Sequence, residues 1–152
     1  MTTHIHRAAL SVLAGCLLGH AAVAQSVAVV VLDGRSGKPV KKDTAIQIAF
    51  PDEAEHRMLR LHTDRAGVVE FDAEGAKELQ VGAIGYVSCH EGQGDTTAEK
   101  FSVEQIVQDG LVGSNHCGQA LVQPHPGRLV YYVKPQNKWS NLRNQGLYGN
   151  NS

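Results

Sequence analysis

The chain has 152 residues, with 14 Lys and Arg against 15 Asp and Glu and a formal net charge of −1. A length of this order suits one domain, and balanced charge offers neither a basic patch for nucleic acid nor a basic amphipathic helix for a membrane surface. After the first two dozen residues no stretch approaches the roughly 20 apolar residues that a membrane-spanning helix needs.

The first 24 residues have the layout of a signal peptide. Arg7 is the only formal charge, Ala8 to Leu18 is an apolar run, and Ala22-Val23-Ala24 fits the small-x-small rule for cleavage between Ala24 and Gln25. Leu13-Ala14-Gly15-Cys16 also resembles a bacterial lipobox, in which Cys16 would carry a lipid anchor. Apolar residues continue past Cys16, where a lipoprotein turns polar, so ordinary cleavage and a periplasmic or secreted protein is the favoured expectation. Residues 25–135 then form the domain, and 136–152, rich in Asn and Gly, are expected to be a polar, flexible tail with too little apolar surface to fold alone.

Ser26 to Leu32 is apolar on both faces, as a central or doubly covered strand is. Asp33-Gly34-Arg35-Ser36-Gly37-Lys38-Pro39 supplies the turn chemistry that ends it. Thr44 to Phe50 alternates, with Ile46, Ile48 and Phe50 on one face, and predicts a half-buried strand stopped by Pro51. Asp52, Glu53 and Glu55 read as a solvated turn. Arg57 to Thr63 alternates again, Asp64-Arg65-Ala66-Gly67 predicts a hairpin turn, and Val68 to Phe71 would be the returning strand. Leu79 to Val87 predicts one strand with a bulge at Ile84-Gly85-Tyr86.

Glu91 to Lys100 is Gly- and Thr-rich and predicts a loop. The period then changes. Ser102 and Gln105 fit a capping box, Val103, Ile106 and Val107 follow at helical spacing, and Gly110 is a natural stop, so a two-turn helix is expected. Leu111 to Gly118 is irregular, and Gln119 to Gln123 is a candidate short strand. Pro124 to Gly127 is a turn, and Arg128 to Lys134 is the last strand. The expected fold is all-β: an immunoglobulin-like or transthyretin-like sandwich of about seven strands, with one short helix between Cys89 and Cys117.

Cys89 and Cys117 are the two cysteines left after cleavage, and an even count in an exported chain points to a disulfide. The alternative is a Cys/His metal site, because His90 and His116 each adjoin a cysteine. Neither side has C-x-x-C spacing. The remaining histidines, His56, His62 and His125, are scattered without the i, i+4 spacing of a metalloprotease helix. No catalytic residue, metal ligand or cofactor is assigned. An aromatic fraction of 5% speaks against a sugar-binding platform, for which Trp139, Tyr148 and Tyr132 are the candidates.

Val29 to Asp33 followed by Gly37-Lys38-Pro39-Val40 resembles the opening of carboxypeptidase-regulatory-like (prealbumin-like) domains. Thr63-Asp64-Arg65-Ala66-Gly67-Val68-Val69 is similar to their Thr-Asp-x-x-Gly hallmark, and Gly85-Tyr86 to the Gly-Tyr that closes a later strand. The resemblance covers roughly residues 26 to 90. It implies a non-catalytic accessory module with a structural or protein-binding role at the cell envelope, or, as the alternative, a carbohydrate- or envelope-binding module. The excursion between Cys89 and Cys117 departs from that pattern.

Overall fold

The computed structural model describes residues 25–90 and 98–136. The leader with Cys16 and Ala24, residues 91–97, and the tail beyond Gln136 with Trp139 and Tyr148 lie outside the described residues. Within them the chain forms nine strands and one helix: β1 (Ser26–Asp33), β2 (Ala45–Ala49), β3 (Met58–His62), β4 (Val68–Asp72), β5 (Glu78–Ala83), β6 (Tyr86–Ser88), β7 (Lys100–Ser102), α1 (Val103–Gln108), β8 (Leu111–Val112) and β9 (Arg128–Pro135).

The strands make a two-sheet sandwich, so the all-β expectation holds. One sheet runs β4-β1-β9-β6, with β8 also on β9; the other runs β3-β2-β5-β7. β1 and β9 are parallel neighbours from Ala28↔Arg128 to Asp33↔Val133. On its other edge β9 meets β8 at Leu129 and Val130, and β6 from Val133 to Pro135. Between the sheets lie Val27, Val29 and Val31 of β1 and Leu129, Tyr131 and Val133 of β9. They pack against Ile46, Ile48, Phe50, Leu79 and Phe101. The Phe101 and Tyr131 rings meet edge to face at 6.2 Å, a favoured aromatic geometry.

The first turn reverses the chain as expected. Asp33 Oδ1 accepts hydrogen bonds from Arg35 N, Ser36 N and Ser36 Oγ, and Leu32 bridges Pro39 antiparallel. The positive φ of this turn belongs to Gly37, at +68°.

The second turn differs from expectation. β3 pairs with β2 in one sheet and β4 with β1 in the other, so Asp64 to Gly67 carries the chain across the sandwich and closes no hairpin. β1 recruits the turn directly: Val31 N donates to Gly67 O at 2.9 Å, and a Cβ on Gly67 would stand 2.8 Å from Val31 O. Gly67 does take a positive φ, +73°.

The segment read as one bulged strand is two strands in different sheets. β5 ends at Ala83, Gly85 turns at φ +84°, and β6 joins β9. β7 and β8 had no signal in the sequence, being three and two residues long. These differences raise the count from about seven strands to nine. The candidate strand Gln119–Gln123 does not form.

The helix is as expected. Ser102 Oγ accepts Gln105 N at 3.3 Å, Val103 and Ile106 are fully buried, and Gly110 has φ +77°. Such a short helix depends on tertiary packing. Its C-terminal end is closed by the 124–127 turn, whose Gly127 N donates to Ile106 O at 2.7 Å.

Candidate functional site

A disulfide joins Cys89 to Cys117, with Cα atoms 5.3 Å apart. It settles the choice that the sequence left open for these two cysteines. Its place in the fold is specific. Leu32, Val130 and Tyr132 point to the outer face of the β1–β9 sheet and form a second apolar cluster with Cys89. Val30, Val112, Cys117 and Ala120 pack against it. The segment from Gly113 to His125 lies over this face. The double-sided hydrophobicity of β1 and β9 therefore has two partners: the other sheet inside and the bridged segment outside.

Four further hydrogen bonds fix the segment. His116 N donates to Cys89 O at 2.8 Å. Asn115 Nδ2 donates to Gly34 O at 2.9 Å and to Ala120 O at 3.1 Å, while Asn115 Oδ1 accepts Cys117 N. Gly34 explains itself here. A Cβ on it would stand 2.5 Å from Asn115 Oδ1 and 2.7 Å from Cys89 Sγ. The first turn thus needs Gly34 for close approach to the disulfide, a requirement separate from turn conformation. From this anchored base the segment presents Leu121, 92% exposed, and Val122.

On the same side stands a small polar group. His90 Nδ1 and Glu99 Oε2 are 3.4 Å apart, with side chains 31% and 18% exposed. Both atoms are sealed from solvent, and neither makes a hydrogen bond. Burial raises the Glu99 carboxyl above the ordinary glutamate range, opposed by the charge of His90, by hydrogen bonds from the Ser114 backbone and hydroxyl, and by the charge of His116. Glu99 also lines a cleft of about 410 Å³, with Val81, Gly82, Tyr86, Ser88 and Tyr131. The cleft opens because β7 follows β5 only from Glu78 to Gln80 and leaves the outer edge of Val81–Ala83 without a strand among the described residues.

The other candidates are dispersed. His56 Nδ1 faces Glu53 O at 3.0 Å in an exposed loop, and His62 Nδ1, at the end of β3, faces Asp43 O at 3.2 Å; both side chains are exposed. Among the described residues no three His, Cys, Asp or Glu side chains converge on a common point. Tyr132 is 2% exposed and so cannot serve as a sugar platform.

The Asp52–Glu55 turn proves more structured than a solvated face. Asp52 accepts Lys77 N at 2.8 Å, and that bond chiefly holds its carboxyl below the usual range. Glu53 forms a two-pronged ion pair with Arg57, whose guanidinium stacks 4.1 Å over Phe50. Sequence reading missed Arg57, Glu99, Ser114 and Asn115. An Asx signal was present at Asn115, two residues before Cys117, whereas Glu99 sits in a Thr-rich stretch with no local pattern.

No protein-family model matches this chain, and no curated protein matches it.

Proposed function

We propose that this chain is an exported, non-catalytic β-sandwich module that binds a protein partner at the cell envelope through the Gly113–His125 segment. The observation that carries this reading is Leu121, a large apolar side chain 92% exposed on a segment whose base is held by a disulfide and by Asn115. Burying a leucine in a partner's pocket contributes about 1.5–3 kcal/mol. An anchor that is already rigid loses little entropy on binding. The signal-peptide layout of residues 1–24 and the likeness to carboxypeptidase-regulatory-like modules support the location and the absence of chemistry.

The test is photo-crosslinking in the envelope of the source cells, with the crosslinker at Val122 and the captured protein identified by mass spectrometry. Affinity for that protein is then titrated. Leu121→Asp is expected to weaken binding roughly 10- to 100-fold and to leave the melting temperature unchanged. An affinity that Leu121→Asp does not alter refutes the assignment of this surface.

A further inference from the structure

On one flank of the sandwich the sheets end at β6 and β7, strands of three residues each. On the other they end at β3 and β4, five residues each, and among the described residues no strand pairs with the outer edge of either. We propose that this second flank is the interface of a homodimer, in which β3 of each copy pairs antiparallel with β4 of the other. The surface is separate from that of Leu121, and the proposal stands or falls independently of it.

Natural sheets blunt an open edge with proline, a bulge or a charge turned inward. Neither strand does so. The β2–β3 and β1–β4 ladders run unbroken over five residue pairs each. The inward positions hold Leu59, Leu61, Val69 and Phe71, of which Leu59, Leu61 and Phe71 are only partly buried. A cleft of about 330 Å³ opens between the two edges beside Leu61 and Val69, and Met58 is 61% exposed at the start of β3. A second copy laid along the flank removes this apolar surface from water.

The backbone offers the bonds. Arg57 O accepts from Phe50 N and Thr63 N donates to Thr44 O, so the odd-numbered residues of β3 turn their backbone groups to β2 and Arg60 turns its own outward. Gly67 O accepts from Val31 N and Ala73 N donates to Gln25 O, which by the same alternation leaves the backbone of Glu70 facing outward. Arg60 and Glu70 are the central residues of the two edges, and their side chains carry opposite charge. Neither has an ion-pair partner among the described residues.

Charge decides which edge meets which. β3 against its own copy would set Arg60 opposite Arg60, and β4 against its own copy would set Glu70 opposite Glu70; like charges directly opposite destabilise a sheet. β3 against β4 sets Arg60 opposite Glu70, with Leu59 beside Phe71 and Leu61 beside Val69. The fold allows this pairing twice at once. β3 runs into the 63–67 turn and β4 runs out of it, so the two edges are antiparallel on one flank. A two-fold axis parallel to the strands brings each β3 to the other copy's β4, continues both sheets across the interface and closes the assembly at two copies.

The test is sedimentation velocity of the purified, disulfide-bonded protein at low salt, from about 1 to 500 μM. A monomer–dimer equilibrium is expected, with Kd on the order of 10 μM. Arg60→Glu and Glu70→Arg should each weaken dimerisation at least about tenfold, because the symmetry repeats the repulsion at both junctions. The two single variants mixed in equal amounts should form a heterodimer about as tightly as the parent dimerises, since Arg now faces Glu at each junction. Both side chains are exposed, and melting curves of the dilute variants verify that each is folded. A protein that stays monomeric over the whole range leaves the flank to some other partner and overturns the proposal. So does a dimer that either reversal leaves unchanged, or a mixture that is no more dimeric than its components.

Discussion

Glu99 and Asp33 are two carboxylates that answer to pH with opposite sign. The Glu99 value is raised, chiefly by burial, above the ordinary 4.5. Folding therefore favours its neutral form. The stability linked to it is complete below the unfolded value and is lost as pH rises through the folded one. Asp33 is lowered from 3.8, first by the Ser36 backbone bond and then by the Ser36 hydroxyl. Its contribution is present above the unfolded value and disappears as pH falls through the folded one. Glu99→Gln should make the protein more stable at pH 7 and leave it equal to the parent at pH 3. Urea denaturation at the two pH values measures this, and a variant less stable at pH 7 contradicts it. The sequence disclosed Asp33 and hid Glu99. Asp33 stands in an Asp-Gly turn where side-chain capping of the backbone is the rule. Glu99 acquires its character from Gly113, Ser114 and His90, which reach it only through the fold.

At the scale of elements, alternation showed which residues point inward and said nothing about which strand lies alongside. Thr63–Phe71 has every local mark of a hairpin, yet β3 and β4 belong to different sheets. A turn that joins two strands edge to edge and a turn that vaults between layers use the same Asp and Gly chemistry. What tells them apart is non-local: the separate partners of β3 and β4, and the hydrogen bond from Val31 N to Gly67 O across 36 residues of sequence. The helix was legible because its signals are local: a capping serine, a four-residue period and a terminal glycine. That glycine offers a graded test. Gly110 and Gly75 share positive φ, +77° and +81°. A Cβ at Gly110 would overlap the backbone of His125, whereas nothing lies within 4 Å of one at Gly75. Gly75→Ala is expected to cost about 1 kcal/mol from conformation alone. Gly110→Ala adds overpacking and should cost about 3 kcal/mol. Chemical denaturation of both variants checks the difference, and equal losses would mean that the 124–127 turn moves aside freely.

For the whole molecule, the bridge does more than close a loop. Counting cysteines pointed to the pairing, but its purpose became clear only with Val130 and Tyr132 seen on the outer face beneath it. The double-sided apolar pattern of β1 hinted at a second cover without saying which segment supplies it. Replacing both Cys89 and Cys117 by Ala is expected to lower stability by about 3–4 kcal/mol, from the entropy of a loop whose ends lie 28 residues apart. The loss should be accompanied by increased reactivity of Tyr132 and not of the interior Tyr131, read by limited iodination of the native variant. Uniform exposure of both tyrosines would show that the two apolar layers fold as one. The parallel alignment of β1 with β9 has a mechanical consequence. The chain enters this pair at Ser26 and leaves it at Pro135, at opposite ends of the same ladder. Tension drawn through those two points meets the register from Ala28↔Arg128 to Asp33↔Val133 as shear, loading its bonds together instead of peeling them one by one. A module tethered at one end and pulled at the other would resist as a clamp.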